Sequence, residues 1–324
     1  MAQARIVFVA ANPSIDRLYE VDRLTVGAIH RPVALVAVPG GKGLNAARAA
    51  ARLGGRVTAL GILAGRSGDW IEEAISGRRI DARWVRDGGE TRTCVSILDR
   101  SSGAMTEIYE RGEPVDPAAW EALERLVADE LARGDVAALA VSGSLPVGAP
   151  PDGFGRIAGL ARTADPGARP VAVLADTYGP ALAAVLAERP ALVKINAEEA
   201  AEATGIVVTD ASSAETAAAV LLDRGAAGVV VTLGPAGAVV VTAVSSNRLV
   251  PDGVRGAYPV GSGDAFLGGL AVGLARGDDA LEAARLGLAA GTANALVPGA
   301  GELDPLEVDR ILRGTPRRTP GPTG

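Results

Sequence analysis

Residues 256–269 read Gly-Ala-Tyr-Pro-Val-Gly-Ser-Gly-Asp-Ala-Phe-Leu-Gly-Gly, and this glycine-rich turn leads directly into an apolar helical pattern. From Ala265 onward the apolar residues recur at steps of three and four, which predicts a helix that begins near Asp264. Gly261 and Gly263 leave the first backbone N–H groups of that helix open to an anion. The stretch therefore predicts an anion site at a helix N-terminus.

Asp264 lies in the same turn as these glycines. We expect the helix dipole to lower its pKa and to keep the carboxylate ionised at neutral pH. A fixed base beside N–H donors for phosphate is what phosphoryl transfer to a hydroxyl requires. The same residues also suit an ordinary turn with an N-cap, so that alternative stays open. A dinucleotide-binding fingerprint is excluded, because its third glycine would fall on Phe266.

Length, composition and charge restrict the class of protein. The chain has 324 residues, of which 48% are hydrophobic and only 3% aromatic, so a large core of Ala, Val, Leu and Gly is expected. There are 32 basic and 38 acidic residues, a net charge of -6, and no basic stripe. Nucleic acid is therefore not expected as a partner.

Single residues exclude several kinds of chemistry. Cys94 is the only cysteine, so no intrachain disulfide can form, and His30 is the only histidine, which excludes His-based metal sites and Ser-His-Asp catalysis. The apolar run 6–11 is too short for a signal peptide, so we expect a cytoplasmic protein. The uncharged stretch 225–247 could pass for a membrane helix. Its β-branched runs, 229–233 and 238–244, instead predict two strands joined by a turn, and no membrane partner is expected.

Two further polar clusters follow apolar runs in the N-terminal part. Residues 6–10 predict a buried strand, and Asp16 lies in the polar segment after it, where α/β sheets place ligands. Asp16 can hold a substrate hydroxyl there, or it can belong to an Asx-type turn.

The segment 39–45, Pro-Gly-Gly-Lys-Gly-Leu-Asn, is a second glycine-rich loop, and a helix is predicted from Ala46 to Leu53. It is not a Walker P-loop, because Gly43 replaces the Ser or Thr of that motif. A loop with one Lys and one Asn suits polyols and phosphates, and a purely structural turn is the alternative.

A group of strands without intervening helices predicts a small sheet. Residues 91–98 and 105–109 predict two strands of a hairpin around the polar turn 99–103. Together with part of 17–38, this hairpin is interpreted as a sheet that leaves the main body and covers the site. Arg92 lies on it, where it can bind a phosphate or be an ordinary solvated side chain.

The rest of the chain alternates between apolar strands and helices, with predicted strands at 136–141, 170–175 and 191–195. Asn196 and Glu199 follow the last of these and can direct two oxygens to one hydrated Mg²⁺, or they can form a capping box. The pattern predicts an α/β protein, a three-layer αβα sandwich with a mainly parallel central sheet. We expect the 40–45 loop and the 261–264 turn to meet at its switch point.

Taken together, these motifs resemble those of the ribokinase-like (PfkB) carbohydrate kinases. The two signatures of that family are matched by Gly40-Gly41-Lys42-Gly43-Leu44-Asn45 and by Gly261-Ser262-Gly263-Asp264. The resemblance implies one kinase domain over 1–313, with a β-sheet lid formed by about 14–39 and 90–112. The tail 314–324 is predicted to be disordered.

Within the family the chain is most similar to the sugar-phosphate branch, the 1-phosphofructokinases and tagatose-6-phosphate kinases. The residues that carry this similarity are 12–16, Lys42, 91–92 and the Ser-Gly-Ser-Leu-Pro turn at 142–146. The resemblance implies three sets of contacts. Sugar hydroxyls would be held by Asp16, Gly41 and Asn45, and the phosphate already on the sugar by Lys42, Arg92 and Ser144, with help from Arg31. The nucleotide and its Mg²⁺ would be held by Lys194, Asn196, Glu199, Thr232, Gly234 and Gly237, with Asn294 near the adenine.

The activity implied is ATP-dependent phosphorylation of a ketohexose monophosphate, fructose 1-phosphate or tagatose 6-phosphate, to the bisphosphate. Asp264 would be the base, and the Gly261 and Gly263 amides would stabilise the transferring group. A homodimer through the lid is also implied. A kinase of an unphosphorylated sugar or nucleoside, and a catalytically silent sugar-phosphate-binding regulator, are the alternatives. Two departures from the family pattern are Ile195, where a proline is usual, and Glu107, where some 6-phosphofructokinases have an Arg.

Overall fold

The computed structural model describes residues 4–163, 170–251 and 253–315. Within these ranges no helix combines the length and the apolar character that crossing a membrane would need. The strands, numbered in chain order, are β1 (Arg5–Ala10), β2 (Ser14–Val21), β3 (Ala34–Gly40), β4 (Arg56–Ala64), β5 (Ile80–Asp87), β6 (Thr93–Asp99), β7 (Met105–Tyr109), β8 (Val136–Ser142), β9 (Ala172–Asp176), β10 (Leu192–Asn196), β11 (Gly228–Thr232), β12 (Ala238–Thr242) and β13 (Ser245–Leu249). The helices are α1 (Lys42–Arg52), α2 (Gly65–Ile75), α3 (Pro117–Leu131), α4 (Gly153–Thr163), α5 (Gly179–Ala187), α6 (Ala197–Thr204), α7 (Ala211–Asp223), α8 (Ser262–Arg276), α9 (Ala280–Asn294) and α10 (Pro305–Gly314).

The main sheet has nine strands in the order β13-β12-β11-β10-β9-β8-β1-β4-β5. All neighbours from β11 to β5 run parallel, and β12 is antiparallel to both of its neighbours. The central strands are continuous apolar runs, because helices cover both faces of the sheet. The chain leaves β1 toward β4 on one side and returns to β8 on the other, so the switch point lies at the carboxyl end of β1.

Helices cover both faces of this sheet and bury two separate apolar clusters. One cluster includes Phe8 and Leu44 with side chains of α8, α9 and α10, and the other includes Trp120 and Phe154 with side chains of α3 to α7. Alanine and leucine dominate the first cluster, and valine and alanine the second, in keeping with the low aromatic content. The predicted three-layer αβα sandwich is confirmed.

The second sheet has four strands in the order β3-β2-β6-β7. The pairs β3/β2 and β6/β7 are antiparallel, and β2 runs parallel to β6. The predicted hairpin of residues 91–98 and 105–109 is therefore confirmed as β6 and β7. We call these four strands the small sheet.

Several element predictions were incomplete. The antiparallel pair β11/β12 confirms the two strands predicted in the uncharged stretch. The helix predicted from Ala46 begins instead at Lys42, because Gly41 is its N-cap. At the other end, α10 extends to Gly314 and Thr315 is buried, so the predicted disordered tail begins too early. Its remaining residues, 316–324, lie outside the described residues.

Candidate active site

The N-termini of α1 and α8 meet above the carboxyl end of β1. Gly41 and Gly261 are the N-cap residues of these helices and have φ values of 87° and 81°, a region that favours glycine. Since glycine has no side chain, it cannot cap the first-turn N–H groups, which stay open to an anion. The two loops predicted to meet are therefore together in the structure.

Asn45 is the residue that joins the two loops. Its Nδ2 donates to Asp264 Oδ2 at 2.9 Å and to Asp16 Oδ2 at 3.2 Å. The side chain of Asp16 is also fixed by Ser14, whose Oγ donates to Oδ1 at 2.6 Å. One amide thus lies between two carboxylates that come from α8 and β2. A polyol placed here would find acceptors on two sides.

Asp264 has a different protonation behaviour from the one predicted. Only 7% of the residue is exposed, and burial raises the pKa of its carboxyl to about 7, against the opposing effect of Lys42. Nearby Asp176 raises the pKa further, and the hydrogen bond from Asn45 lowers it. The prediction that the helix dipole keeps this pKa low was wrong, because loss of hydration outweighs the dipole in a buried site. A carboxyl with a pKa near neutrality is suited to general base catalysis.

A buried carboxylate holds two lysines beside the base. Asp176, the last residue of β9, is fully buried and accepts from Lys194 Nζ at 2.7 Å and from Lys42 Nζ at 3.3 Å. The two cations keep the pKa of Asp176 low in spite of its burial. A Cβ on Gly263 would lie 3.0 Å from Lys194 Nζ, so this ammonium adjoins the glycine turn of α8.

Asp176 was not among the predicted site residues. The available signal was its position as a polar residue at the end of an apolar strand.

Lys42 also contacts the N-terminus of α6. Its Nζ donates to Glu199 Oε1 at 2.9 Å, and 32% of its side chain is exposed. The capping box considered for Asn196 and Glu199 is present, with Glu199 N donating to Asn196 Oδ1 at 2.8 Å and Asn196 N to Glu199 Oε2 at 2.9 Å. Among the described residues no group of three or more His, Cys, Asp or Glu is placed to hold a metal ion.

This capping box still leaves oxygen for a hydrated cation. Each oxygen of the Glu199 carboxylate accepts one hydrogen bond in the structure and has a second lone pair. Mg²⁺ keeps several of its waters in proteins, so such oxygens can contact it through water. The residues present therefore fit a metal that is held mainly by the nucleotide.

Arg92 lies between the small sheet and the end of β1. Its Nη2 donates to Asn12 O and its Nη1 to Glu110 O, both at 3.1 Å. Its Nε is buried and donates to no acceptor among the described residues. The side chain of Asn12 in turn donates to Ser144 Oγ at 3.1 Å. Arg92 and Ser144 are thus linked through Asn12, whereas Arg31 is exposed on the connection between β2 and β3.

Two cavities adjoin these residues. One is bounded by the small sheet, Asp16, Tyr258 and Ala300. The other is bounded by Asn12, Arg92 and Thr91. Of the predicted substrate contacts, Asp16 lines the first cavity and Arg92 the second.

The remaining predicted nucleotide contacts are divided by the structure. Thr232 ends β11 beside Asn196 of β10, and Gly234 and Gly237 flank the short turn that follows. Asn294 is fully buried, and its amide donates to Val260 O at 3.0 Å and accepts from Gly301 N at 2.7 Å. In this structure Asn294 supports the turn before α8, and its predicted position near the adenine stays a prediction.

Comparisons with known proteins agree with this geometry. The sequence pattern of the pfkB family carbohydrate kinases matches residues 9–307. The chain is 33% identical to 1-phosphofructokinase of Rhodobacter capsulatus over 285 residues, which is 88% of each chain. It is 30% identical to tagatose-6-phosphate kinase of Staphylococcus epidermidis over 311 residues, 95% of this chain and 97% of the relative.

A solved structure shows the same architecture over nearly the whole chain. Phosphofructokinase-2 of Escherichia coli matches with a TM-score of 0.86 at 28% identity, covering 96% of this chain and 98% of the other. The matched range, residues 9–307, contains both glycine loops, Asp16, Lys42, Lys194 and Asp264. The chain therefore belongs to the pfkB family of carbohydrate kinases.

Proposed function

We propose that this protein transfers the γ-phosphoryl group of ATP to a primary hydroxyl of a ketohexose monophosphate, giving ADP and the bisphosphate. The observation that carries the proposal is the Asn45 bridge, which places the carboxyl of Asp264 beside Asp16. A sugar held by Asp16, Gly41 and Asn45 would present a hydroxyl to Asp264, in front of the N–H groups at the start of α8.

The chemical step follows from these positions. The hydroxyl oxygen attacks Pγ and forms the new P–O bond, the bond from Pγ to the oxygen of ADP breaks, and Asp264 accepts the hydroxyl proton. The backbone amides of Gly261 and Gly263 stabilise the charge on the transferring group, and Lys194 adds its cation beside them.

The nucleotide would lie along the carboxyl ends of β10 and β11, on Lys194, Asn196, Glu199, Thr232, Gly234 and Gly237. Mg²⁺, held there through water by Asn196 and Glu199, would supply charge neutralisation on the phosphates.

Cations at the site favour a substrate that already carries a phosphate. Lys42 is held by Asp176 and Arg92 by the carbonyl of Asn12, and a phosphate dianion needs charge-assisted donors of this kind. The kinases named above from Rhodobacter capsulatus and Staphylococcus epidermidis carry the names of sugar-phosphate kinases. Glu107 of β7 places a carboxylate on the small sheet, where some 6-phosphofructokinases have an Arg. A negative charge there disfavours binding of a substrate phosphate next to Glu107.

The small sheet is proposed to act as the lid, comprising about 14–39 and 90–112. Asp16 lies on its strand β2, beside Asn45 of α1, and closure of the sheet would exclude water as a competing acceptor. The face opposite to Asp16 carries Leu35 and Ile108, which are 52% and 60% exposed. The strand register places Tyr19 and Ile97 on the same face. Apolar side chains of this kind support a homodimer formed through the two lids. The cytoplasm, where ATP and sugar phosphates are found, is the proposed location.

A substrate panel with ATP and Mg²⁺ tests the proposal. We expect turnover of fructose 1-phosphate or tagatose 6-phosphate, and rates at least about 100-fold lower for fructose, ribose and a nucleoside, because each charge-assisted hydrogen bond to the phosphate contributes roughly 1.5–3 kcal/mol. Equal use of an unphosphorylated sugar would reject the proposed substrate class. Absence of ATP consumption with every member of the panel would reject the kinase.

Arg92→Ala provides the matched test of the substrate phosphate. We expect kcat/KM for the sugar phosphate to fall roughly 100-fold through KM, since one charge-assisted contact is lost, while ATP affinity is unchanged. Arg100→Ala is the control, because Arg100 lies in the turn between β6 and β7 of the same sheet, is 53% exposed and pairs with Asp22. An equal effect of both variants, measured by steady-state kinetics, would show that Arg92 has no special role.

The pH dependence follows from the pKa of Asp264. Because this carboxyl must be deprotonated to act as a base and its pKa is raised to about 7, kcat/KM should rise tenfold per pH unit below pH 7 and level off above it. The substrate phosphate titrates lower, near pH 6. A profile of kcat/KM from pH 5.5 to 9 checks this, and a profile that stays flat from pH 8 down to pH 6 would contradict it.

A further inference from the structure

The Asn45 amide has an orientation that its two carboxylate neighbours require. Its NH₂ group points between Asp16 and Asp264, and the amide oxygen would be repelled by both if the group turned over. The contact of the amide oxygen on the opposite side therefore also determines the orientation of the group. There Arg48, one helical turn later on α1, donates from Nη1 to Asn45 Oδ1 at 3.3 Å.

Arg48 is itself held through both of its terminal nitrogens. Only 2% of the residue is exposed, and its guanidinium donates to the carbonyl of Pro39, to the carbonyl of Ala300 and, at 3.2 Å, to Glu302 Oε1. A planar guanidinium offers its donors in a fixed arrangement, so these contacts also fix its position relative to Asn45.

The segments that Arg48 joins surround the reacting groups. Pro39 is the last residue but one of β3, directly before Gly40 and Gly41. Ala300 packs against the N-cap of α8, since a Cβ on Gly261 would lie 2.6 Å from its Cα. The buried guanidinium of Arg48 thus contacts Pro39 beside the Gly40-Gly41 loop, Ala300 behind the N-terminus of α8, and the Asn45 amide.

We infer that Arg48 is a positioning residue, whose guanidinium holds the Asn45 amide with its NH₂ group toward Asp264. Arg48 touches no substrate and acts only through Asn45. The inference rests on the proposed function, because it depends on Asp264 as the base.

The charges around Arg48 and Asp264 are compatible with this role. Burial lowers the pKa of Arg48 to about 10, with Glu302 opposing this effect, so the guanidinium stays protonated in any neutral assay. Arg78 and Asp16 are the other charged groups that influence Arg48. Asp264 is faced by Lys42, Asp176 and Lys194, and the Asn45 hydrogen bond lowers its pKa.

The same surroundings offer a matched control. Glu302 also pairs with Arg52 at 2.7 Å and with Arg78 at 2.6 Å. Glu302→Gln therefore weakens the ionic cluster but leaves the Arg48–Asn45 contact in place. A merely structural role predicts similar effects of Glu302→Gln and Arg48→Met, whereas a positioning role does not.

The test compares Arg48→Met with Glu302→Gln. In Arg48→Met we expect the acid limb of the kcat/KM profile to move up by about 0.5–1 pH unit, because a less well-directed amide stabilises the Asp264 carboxylate less. We also expect kcat to fall roughly tenfold, with KM for ATP unchanged. Glu302→Gln should lower the melting temperature and leave the acid limb where it is.

A second background shows whether the effect passes through Asn45. In Asn45→Ala, adding Arg48→Met should cause no further shift, because the amide is already absent. A shift of the same size in both backgrounds, or an unshifted acid limb in Arg48→Met, would overturn the inference. If Arg48→Met does not fold, Arg48→Lys replaces it and should give a smaller shift in the same direction.

Titration of the Asp264 carboxyl by ¹³C NMR gives a readout without turnover. It should show the same upward shift in the Arg48 variant and none in Glu302→Gln. An inactive wild-type protein rejects the proposed function, and the NMR titration then still decides whether Arg48 positions Asn45. An active wild-type protein without the shift rejects the inference alone.

Discussion

Asp264→Asn is expected to lose kcat by about 10³-fold while ATP still binds, because general base catalysis contributes roughly 10²–10⁴-fold and the amide cannot accept the hydroxyl proton. The nucleotide contacts lie on β10, β11 and the N–H groups of α8, none of which needs the carboxylate. Steady-state kinetics and a direct ATP titration check the two halves of this prediction. A variant that keeps more than about a tenth of the wild-type kcat would reject Asp264 as the base.

The same variant should be more stable than the wild type at alkaline pH. The pKa of Asp264 in the folded protein, about 7, is above the ordinary value of 3.8, so its folded state loses stability as pH rises from about 4 to 7. Asn carries no such cost, and we expect the free energy of unfolding at pH 8 to rise by about 1–3 kcal/mol. Denaturant unfolding at pH 8 and pH 4 measures it. A gain that is as large at pH 4 would contradict the explanation.

Lys42→Met is expected to lower kcat/KM for the sugar phosphate about 10³-fold. The variant removes a cation from the substrate phosphate and also leaves Asp176, which is fully buried, with Lys194 as its remaining lysine. Removing one partner of a buried ion pair costs roughly 3–5 kcal/mol, because the other charge is left uncompensated. Because Lys42 also contacts Glu199, affinity for ATP should weaken by a smaller factor.

Lys42→Arg is the control, since it keeps the positive charge but changes its shape. We expect it to retain at least about a tenth of the wild-type kcat/KM. Steady-state kinetics with both substrates and a thermal melt for each variant separate binding from folding. If Lys42→Met affected kcat/KM less than about fivefold, Lys42 would not bind the substrate phosphate.

The central sheet could be predicted because its strands carry their own signal. Runs such as 229–231 are buried on both faces and are therefore apolar at every position, and the turns between them are rich in glycine. The strand β5 (Ile80–Asp87) was missed for the opposite reason. It is an edge strand with charged, partly exposed side chains, so neither apolar continuity nor strict alternation marks it.

The site could be predicted as a set of residue types at strand ends, but not as a set of contacts. Two loops with glycine, Lys42 and Asp264 already indicate phosphate chemistry, because open N–H groups and a fixed base are local features of the chain. Asn294 shows the limit of this reasoning. Its type suits a ligand contact, and only the packing of α9 reveals that it is completely buried.

By itself, the sequence determined the buried strands of the central sheet, the two glycine loops and the family, because these depend on residue type and on spacing along the chain. Only the tertiary structure decided the protonation of Asp264, the pairing of Asp176 with two lysines and the contact of Arg48 with Asn45. Burial and charge–charge distance control these properties. Both depend on residues far apart in sequence, such as Asn45 and Asp264, which meet only when the chain has folded.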